Sequence, residues 1–187
     1  MFSWGDYQYK GNATGANYLD DNTPLATNGN NSSTLYLDKV KVGDAAQLTA
    51  SIGASYEVFE RVILDANYRY SDHLYASIDP GRFTSASNKG TLELPSYGLM
   101  DAGFSYKMLV GKNKDRSLNF RLNVNNVLDK IYIAESRTNI FADDFISGTS
   151  GPTYASTPGR TYNGVADANQ VFFGFGRTWN FTLRYNF

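Results

Sequence analysis

Residues 171–187 read VFFGFGRTWNFTLRYNF, and the two interleaved halves of this stretch differ in kind. Val171, Phe173, Phe175, Arg177, Trp179, Phe181, Leu183, Tyr185 and Phe187 are large and mostly apolar, whereas Gly174, Gly176, Thr178, Asn180, Thr182, Arg184 and Asn186, following Phe172, are small or polar. Successive side chains of a strand point to opposite faces. The segment therefore predicts a closing strand over 171–187 with one face for an apolar medium and one for water.

The same period extends outward through the chain. In residues 45–58, AAQLTASIGASYEV, the even positions (Leu48, Ile52, Tyr56 and Val58 among alanines) oppose Gln47, Thr49, Ser51, Gly53, Ser55 and Glu57. A tight connection at 59–60 leads into RVILDANYRYSD at 61–72, where Val62, Leu64, Ala66, Tyr68 and Tyr70 oppose Ile63, Asp65, Asn67 and Arg69, so the two segments predict a hairpin. YGLMDAGFSYKM at 97–108 and SLNFRLNVNNVLD at 117–129 repeat the scheme, with Met100, Phe104, Tyr106, Leu118, Phe120, Leu122 and Val124 on one side. A short strand at 2–10 and an early start of the second strand, at Leu35, complete an all-β, antiparallel chain of about six strands with no helical period.

Bulk properties agree. The 187 residues carry a formal net charge of −1, no cysteine and one histidine, with 42% hydrophobic and 15% aromatic residues. That charge gives no footprint for nucleic acid. Without cysteine there are no disulfides, no thiolate metal sites and no thiol nucleophile. No run of about 18 apolar residues indicates a transmembrane helix. A mean hydropathy of −0.40 alongside so many aromatics fits a membrane barrel, whose polar interior dilutes its apolar exterior. The opening MFSWGDYQYKGN has no signal-peptide character, so the chain is expected to be a mature form or a piece of something longer.

Connections at 59–60 and in VGKNKDR are short, whereas those at 11–34, 77–95 and 135–169 are long and rich in Gly, Asn, Ser, Thr and Asp. This alternation belongs to up-and-down outer-membrane barrels. A soluble sandwich also alternates, but three details favour the transmembrane β-barrel. The apolar faces are nearly free of charge, with Arg177 the exception; at about 3.3 Å per residue and a tilt of about 40°, it falls roughly 25 Å above Phe187, at an interface where an arginine costs only about 0–1 kcal/mol. Aromatics cluster at both ends of the strands, with Tyr56, Tyr106, Tyr185 and Phe187 at one and Tyr70, Phe173 and Phe175 at the other. The opposite faces carry Arg61, Asp65, Asn67, Arg69, Asp101, Lys107, Arg121, Asn123, Arg184 and Asn186, which suit a wet lumen. Since closed single-chain barrels have about eight or more strands, and bare edges in lipid cost several kcal/mol per unpaired group, the barrel is incomplete in this chain.

At LNFRLNVNNVLDKIYIAES the chain resembles the penultimate strand of TonB-dependent outer-membrane transporters, with an Asn-rich run ending in Leu-Asp and then Lys-x-Tyr. VGDAAQLTASIGASYEV, RYSDHLYASID, LPSYGLMDAGFSYK and GFGRTWNFTLRYNF are similar to that family's last strands in the same order, so the resemblance covers residues 1–187. It implies a barrel of about 22 strands closed by a plug domain, in the bacterial outer membrane, importing a scarce solute such as a glycan, peptide or metal-siderophore with energy from the TonB complex. The chain would be the carboxyl-terminal part of that barrel, with no plug domain and no TonB box. Its partners would be outer-membrane lipid, the rest of the barrel and the plug, with a surface lipoprotein a further candidate, and no cofactor or enzymatic activity is implied. Phe187, supported by Tyr185 and Leu183, matches the terminal signal read by the barrel assembly machinery; simple interfacial anchoring uses the same residues.

Candidate lumen and vestibule contacts are Arg69, His73, Arg121, Tyr132, Phe141, Tyr154 and Tyr162. The aromatics among them suit stacking on sugars or siderophores, packing of loops, or contact with a lipoprotein. Ser71 and His73 would share a strand face with Asp72 on the other, which argues against a Ser/His/Asp site. The acidic pairs Asp20/Asp21 and Asp143/Asp144 match no EF-hand spacing and read as solvated loop charges, although calcium is conceivable. A passive porin and a soluble sugar-binding sandwich remain the alternatives to a transporter.

Overall fold

The computed structural model describes residues 1–16, 32–148 and 150–187. Among them the chain is all-β: six strands form one antiparallel sheet in the order β1 (Phe2–Trp4), β2 (Leu48–Phe59), β3 (Val62–Asp72), β4 (Tyr97–Val110), β5 (Arg116–Asn125) and β6 (Thr178–Asn186). Each strand pairs with its neighbour in sequence, and the sheet is open, with β1 and β6 at its edges. Among the described residues no helix is long and apolar enough to cross a membrane, which has no bearing on strands.

The register aligns the alternation of every strand. Tyr56, Leu64, Phe104, Leu122 and Phe181 stand side by side across β2 to β6, as do Ala54, Ala66, Ala102, Val124 and Trp179. One sheet face is thus apolar in continuous rows, and a slip of one residue in any ladder would interrupt them. The opposite face aligns Ser55, Asp65, Gly103, Asn123 and Asn180.

The long connections are structured. Leu74–Tyr75 pairs with Glu93–Leu94, Ile133–Ser136 with Val171–Phe173, Ala13–Ala16 with Ser32–Leu35, and Thr161–Tyr162 with Val165–Ala166. Two apolar clusters hold this cap: Leu74, Ala76, Leu92, Leu94, Ile133 and Val165 in one, and Leu37, Val40 and Phe83 in the other. The buried hydrophobic core lies almost entirely here, outside the six-stranded sheet.

Three predicted boundaries are corrected. The second strand begins at Leu48, not Leu35, because residues 32–35 pair with 13–16 and Leu37 and Val40 turn into the cap. The first strand ends at Trp4; Tyr9 N–H instead donates to the Val40 carbonyl at 2.9 Å and Val42 N–H to that of Tyr7 at 3.0 Å. The closing strand is broken at 174–177. There Gly174 N–H donates to the Tyr132 carbonyl at 2.9 Å, and a Cβ on Gly174 would lie 1.9 Å from the Tyr132 ring, so any larger residue would have to displace that ring. Arg177 lies in this break with its N–H on Asp129 Oδ1 at 2.9 Å, and strand parity does not assign it a face.

Candidate functional site

The polar sheet face carries its charges as cross-strand networks. Arg121, opposite Ser105 on the row next to that of Gly103, pairs with Asp65, Nη2 donating to Oδ1 at 3.0 Å and Nη1 lying 3.0 Å from Oδ2. Arg121 also donates to Ser105 Oγ at 2.7 Å and to Asn123 Oδ1 at 2.8 Å, and Asn123 passes the chain to Asn180 at 3.0 Å. The pair crosses β4 over Gly103, where a Cβ would sit 2.5 Å from the Asp65 carboxylate. Glycine in mid-strand costs conformational entropy; here it makes room for the ion pair.

Toward the long-connection end, Arg69 donates to Asp101 Oδ2 at 2.8 Å, while Asp101 Oδ1 accepts the Asn126 N–H at 3.0 Å. Asn126 is the keystone of the turn after β5. Nearly buried and at φ 50°, it donates from Nδ2 to the carbonyls of Lys130 (2.9 Å) and Phe175 (3.2 Å) and accepts Lys130 N–H at 2.9 Å. The short Asn side chain tolerates the left-handed backbone and reproduces a backbone turn, so the Asn-rich run read in the sequence is what ties β5, β4 and the start of β6 together.

Next to this turn Tyr132 lies against Tyr97, ring centroids 4.3 Å apart and planes inclined by 34°. Burial, followed by the field of Tyr97, pushes the Tyr132 phenol upward, so it is a neutral donor at neutral pH. A cavity of about 440 Å³ opens between Arg69, Ser71, Tyr97 and Tyr132, and a neighbouring one of about 390 Å³ adds Asp101, Asn125, Phe175 and Thr178. Flat aromatic surface beside a guanidinium, a carboxylate and amide and hydroxyl groups can stack on a ring and hydrogen-bond its substituents.

The structure thus brings Arg69 and Tyr132 together and places Arg121 on the same face nearer the short turns, in a cavity of about 560 Å³ with Arg61, Lys107 and Arg184. The other named residues lie in the cap. Phe141 is half-buried beneath Lys89, and Tyr154 is buried beneath Arg160, so both serve loop packing. Tyr162 is exposed and meets Phe173 edge-on at 5.6 Å. Leu183, Tyr185 and Phe187 project from the edge strand and its end, with Phe187 98% exposed. Tyr97 and Asn126 were missed as site residues; the proline two positions before Tyr97 marks a strand start at the rim, the one signal that could have singled it out.

Two expectations about charge change. His73 has φ 52°, which takes it out of the strand, and its Nδ1 comes within 3.8 Å of Asp72 Oδ2 instead of facing away from it. Asp144 is a fastening, not a solvated charge: it pairs with Lys89 at 2.8 Å and Arg82 at 2.9 Å, and Lys89 also holds Asp143. These contacts account for its oxygens without calcium. Asp20 and Asp21 lie outside the described residues.

No family model and no curated protein matches this chain. The functional conclusion therefore rests on the geometry and on the resemblance of its motifs.

Proposed function

We propose that this chain is the carboxyl-terminal part of a TonB-dependent outer-membrane transporter, contributing about six strands to a barrel wall of about 22 and a folded extracellular cap to its vestibule. The observation that carries this reading is the apolar sheet face. Its large side chains are aligned in unbroken rows yet remain exposed, Ile52 at 75% and Trp179 at 72%. A face of that composition requires an apolar medium, and lipid supplies one along the whole height of the strands. A soluble sandwich would need a second sheet on this face, and none covers it among the described residues.

In this reading the polar face is the lumen. The edges β1 and β6 pair with the rest of the barrel, a plug fills the interior and couples to the TonB complex, and Arg69, Tyr97 and Tyr132 meet the imported solute. Phe187 with Tyr185 and Leu183 engages the barrel assembly machinery, and the cap is where a surface lipoprotein would dock. The test is cell fractionation of the host with the gene tagged in place. The protein should sediment with the outer membrane, resist a urea wash and migrate faster on gels when unheated, and deletion of Phe187 should lower its amount there. Recovery in the soluble fraction would sink the proposal.

A further inference from the structure

The rim where β3 meets the cap gathers three side chains from two separate segments. Asp72 closes β3, His73 follows it at φ 52°, and Glu93 stands opposite Tyr75 in the short cap ladder. Their donor atoms all lie within 4.8 Å of one another. We propose that Asp72, His73 and Glu93 bind a divalent transition-metal ion of the zinc class, which staples the end of β3 to the cap.

The one separation fixed within this group is close to that of two ligands on one ion, and the Glu93 carboxylate, within 4.8 Å of both, needs only a small side-chain adjustment to join them. Nδ1 of His73 and Oδ2 of Asp72 are 3.8 Å apart, too long for a hydrogen bond. Two donors on one tetrahedral ion, each about 2.1 Å from it, lie about 3.4 Å apart. Charge supports the same conclusion. Two carboxylates share this space, and among the described residues neither has a lysine or arginine within ion-pair distance; Lys41, whose field Glu93 reaches, is held by Asp6 at 2.5 Å. A cation would relieve that repulsion.

The site is also oriented in advance. Asp72 Oδ2 accepts the Tyr70 hydroxyl at 3.0 Å and Oδ1 accepts the His73 N–H at 2.8 Å, the kind of outer contacts that aim metal ligands. Leu74 and Leu94, adjoining His73 and Glu93, are only 4% and 2% exposed, so the two segments meet on a packed base. One imidazole with two carboxylates, and water in the fourth position, suits zinc; calcium demands about 6–8 oxygens.

This inference does not depend on the membrane reading. The full-length protein as produced in its host is stripped with EDTA and titrated with zinc chloride by calorimetry, with cobalt(II) absorption as a second probe. A single zinc should bind, and cobalt should give the intense visible bands of a four-coordinate site. Glu93→Gln, which keeps shape and exposed packing, should weaken zinc by more than the roughly 10-fold typical of losing an outer contact, and His73→Ala should abolish the cobalt bands. Zinc uptake that is absent, or equal in wild type and Glu93→Gln, would overturn the proposal whether or not His73→Ala folds.

Discussion

The wall and the cap of this molecule treat the same residue types in opposite ways. Phe104, Leu122 and Phe181 share one row of the sheet and remain 40%, 37% and 56% exposed, whereas Phe83, Leu94 and Ile133 in the cap are exposed by 0%, 2% and 2%. The cap is built as proteins in water are, with its apolar groups inside. The six-stranded sheet leaves its apolar groups exposed on one face and keeps Asp65, Asn67, Arg69, Arg121 and Asn123 on the other. On the proposed membrane reading, two solvents, one for each region, account for this inversion within a single chain.

That contrast can be broken from either side. The largest effect should come from emptying the cap core. Phe83→Ala removes a fully buried ring from the Leu37–Val40 cluster and should cost the cap about 3–5 kcal/mol, seen as rapid proteolysis of the long connections while the strand ladder stays protected. If strands and cap lose protection together, they are one cooperative unit and the contrast is weaker than drawn. On the wall, Leu122→Arg should cost about 2–4 kcal/mol of folding stability in lipid near mid-plane, measured by urea titration in liposomes. A change near zero would mean that this face meets water.

A smaller effect is expected inside. Gly103→Val forces the Asp65–Arg121 pair off β4 and should destabilise the wall by about 1–3 kcal/mol, without altering loop proteolysis. The smallest is electrostatic. Burial alone would raise the Asp144 carboxyl, but hydrogen bonds from Lys89, the Phe141 backbone and Arg82 outweigh it and hold it below its ordinary 3.8. A depressed carboxyl stabilises fully above 3.8 and loses that contribution as pH falls through its folded value. Lys89 is raised above 10.5 by its bonds to Asp143 and then Asp144, so its contribution fades only as pH climbs through that higher value. The loops at 80–92 and 139–160 should therefore stay fastened across neutral pH and loosen in acid, with Lys89→Ala adding about 1 kcal/mol or less. Proteolysis rates followed from neutral pH down past about 3.8, to where the depressed Asp144 carboxyl takes up its proton, would check this.

How legible these regions were in the sequence follows from the same contrast. A wall strand displays its two environments residue by residue, so the faces of 48–59, 62–72, 97–110 and 116–125 could be read directly. The cap has no such period. Leu37, Val40, Ile78 and Phe83 come together through packing between distant segments, and nothing local in the chain announces a core there. The break in the closing strand was hidden for a related reason. Gly174 and Gly176 look like the small members of an alternating pattern, and only the Tyr132 ring above Gly174, with Asn126 and Asp129 holding Phe175 and Arg177, shows that the ladder stops. Of the site, Arg69 and Arg121 were visible as charges on the polar face of their strands. Tyr97 and Glu93 were not, because their roles depend on Tyr132 and His73, which tertiary structure brings to them.

The measurement closest to the central claim uses the absence of cysteine, which leaves every introduced thiol unique. Spin labels placed singly at 118–124 on β5, in protein embedded in lipid, report whether each site meets oxygen dissolved in the bilayer or a water-soluble nickel reagent. Labels at Leu118, Phe120, Leu122 and Val124 should collide with oxygen and those at Asn119, Arg121 and Asn123 with nickel, alternating at every step. Equal access to nickel on both faces, or protection of the even positions from both reagents, would contradict a lipid-facing wall.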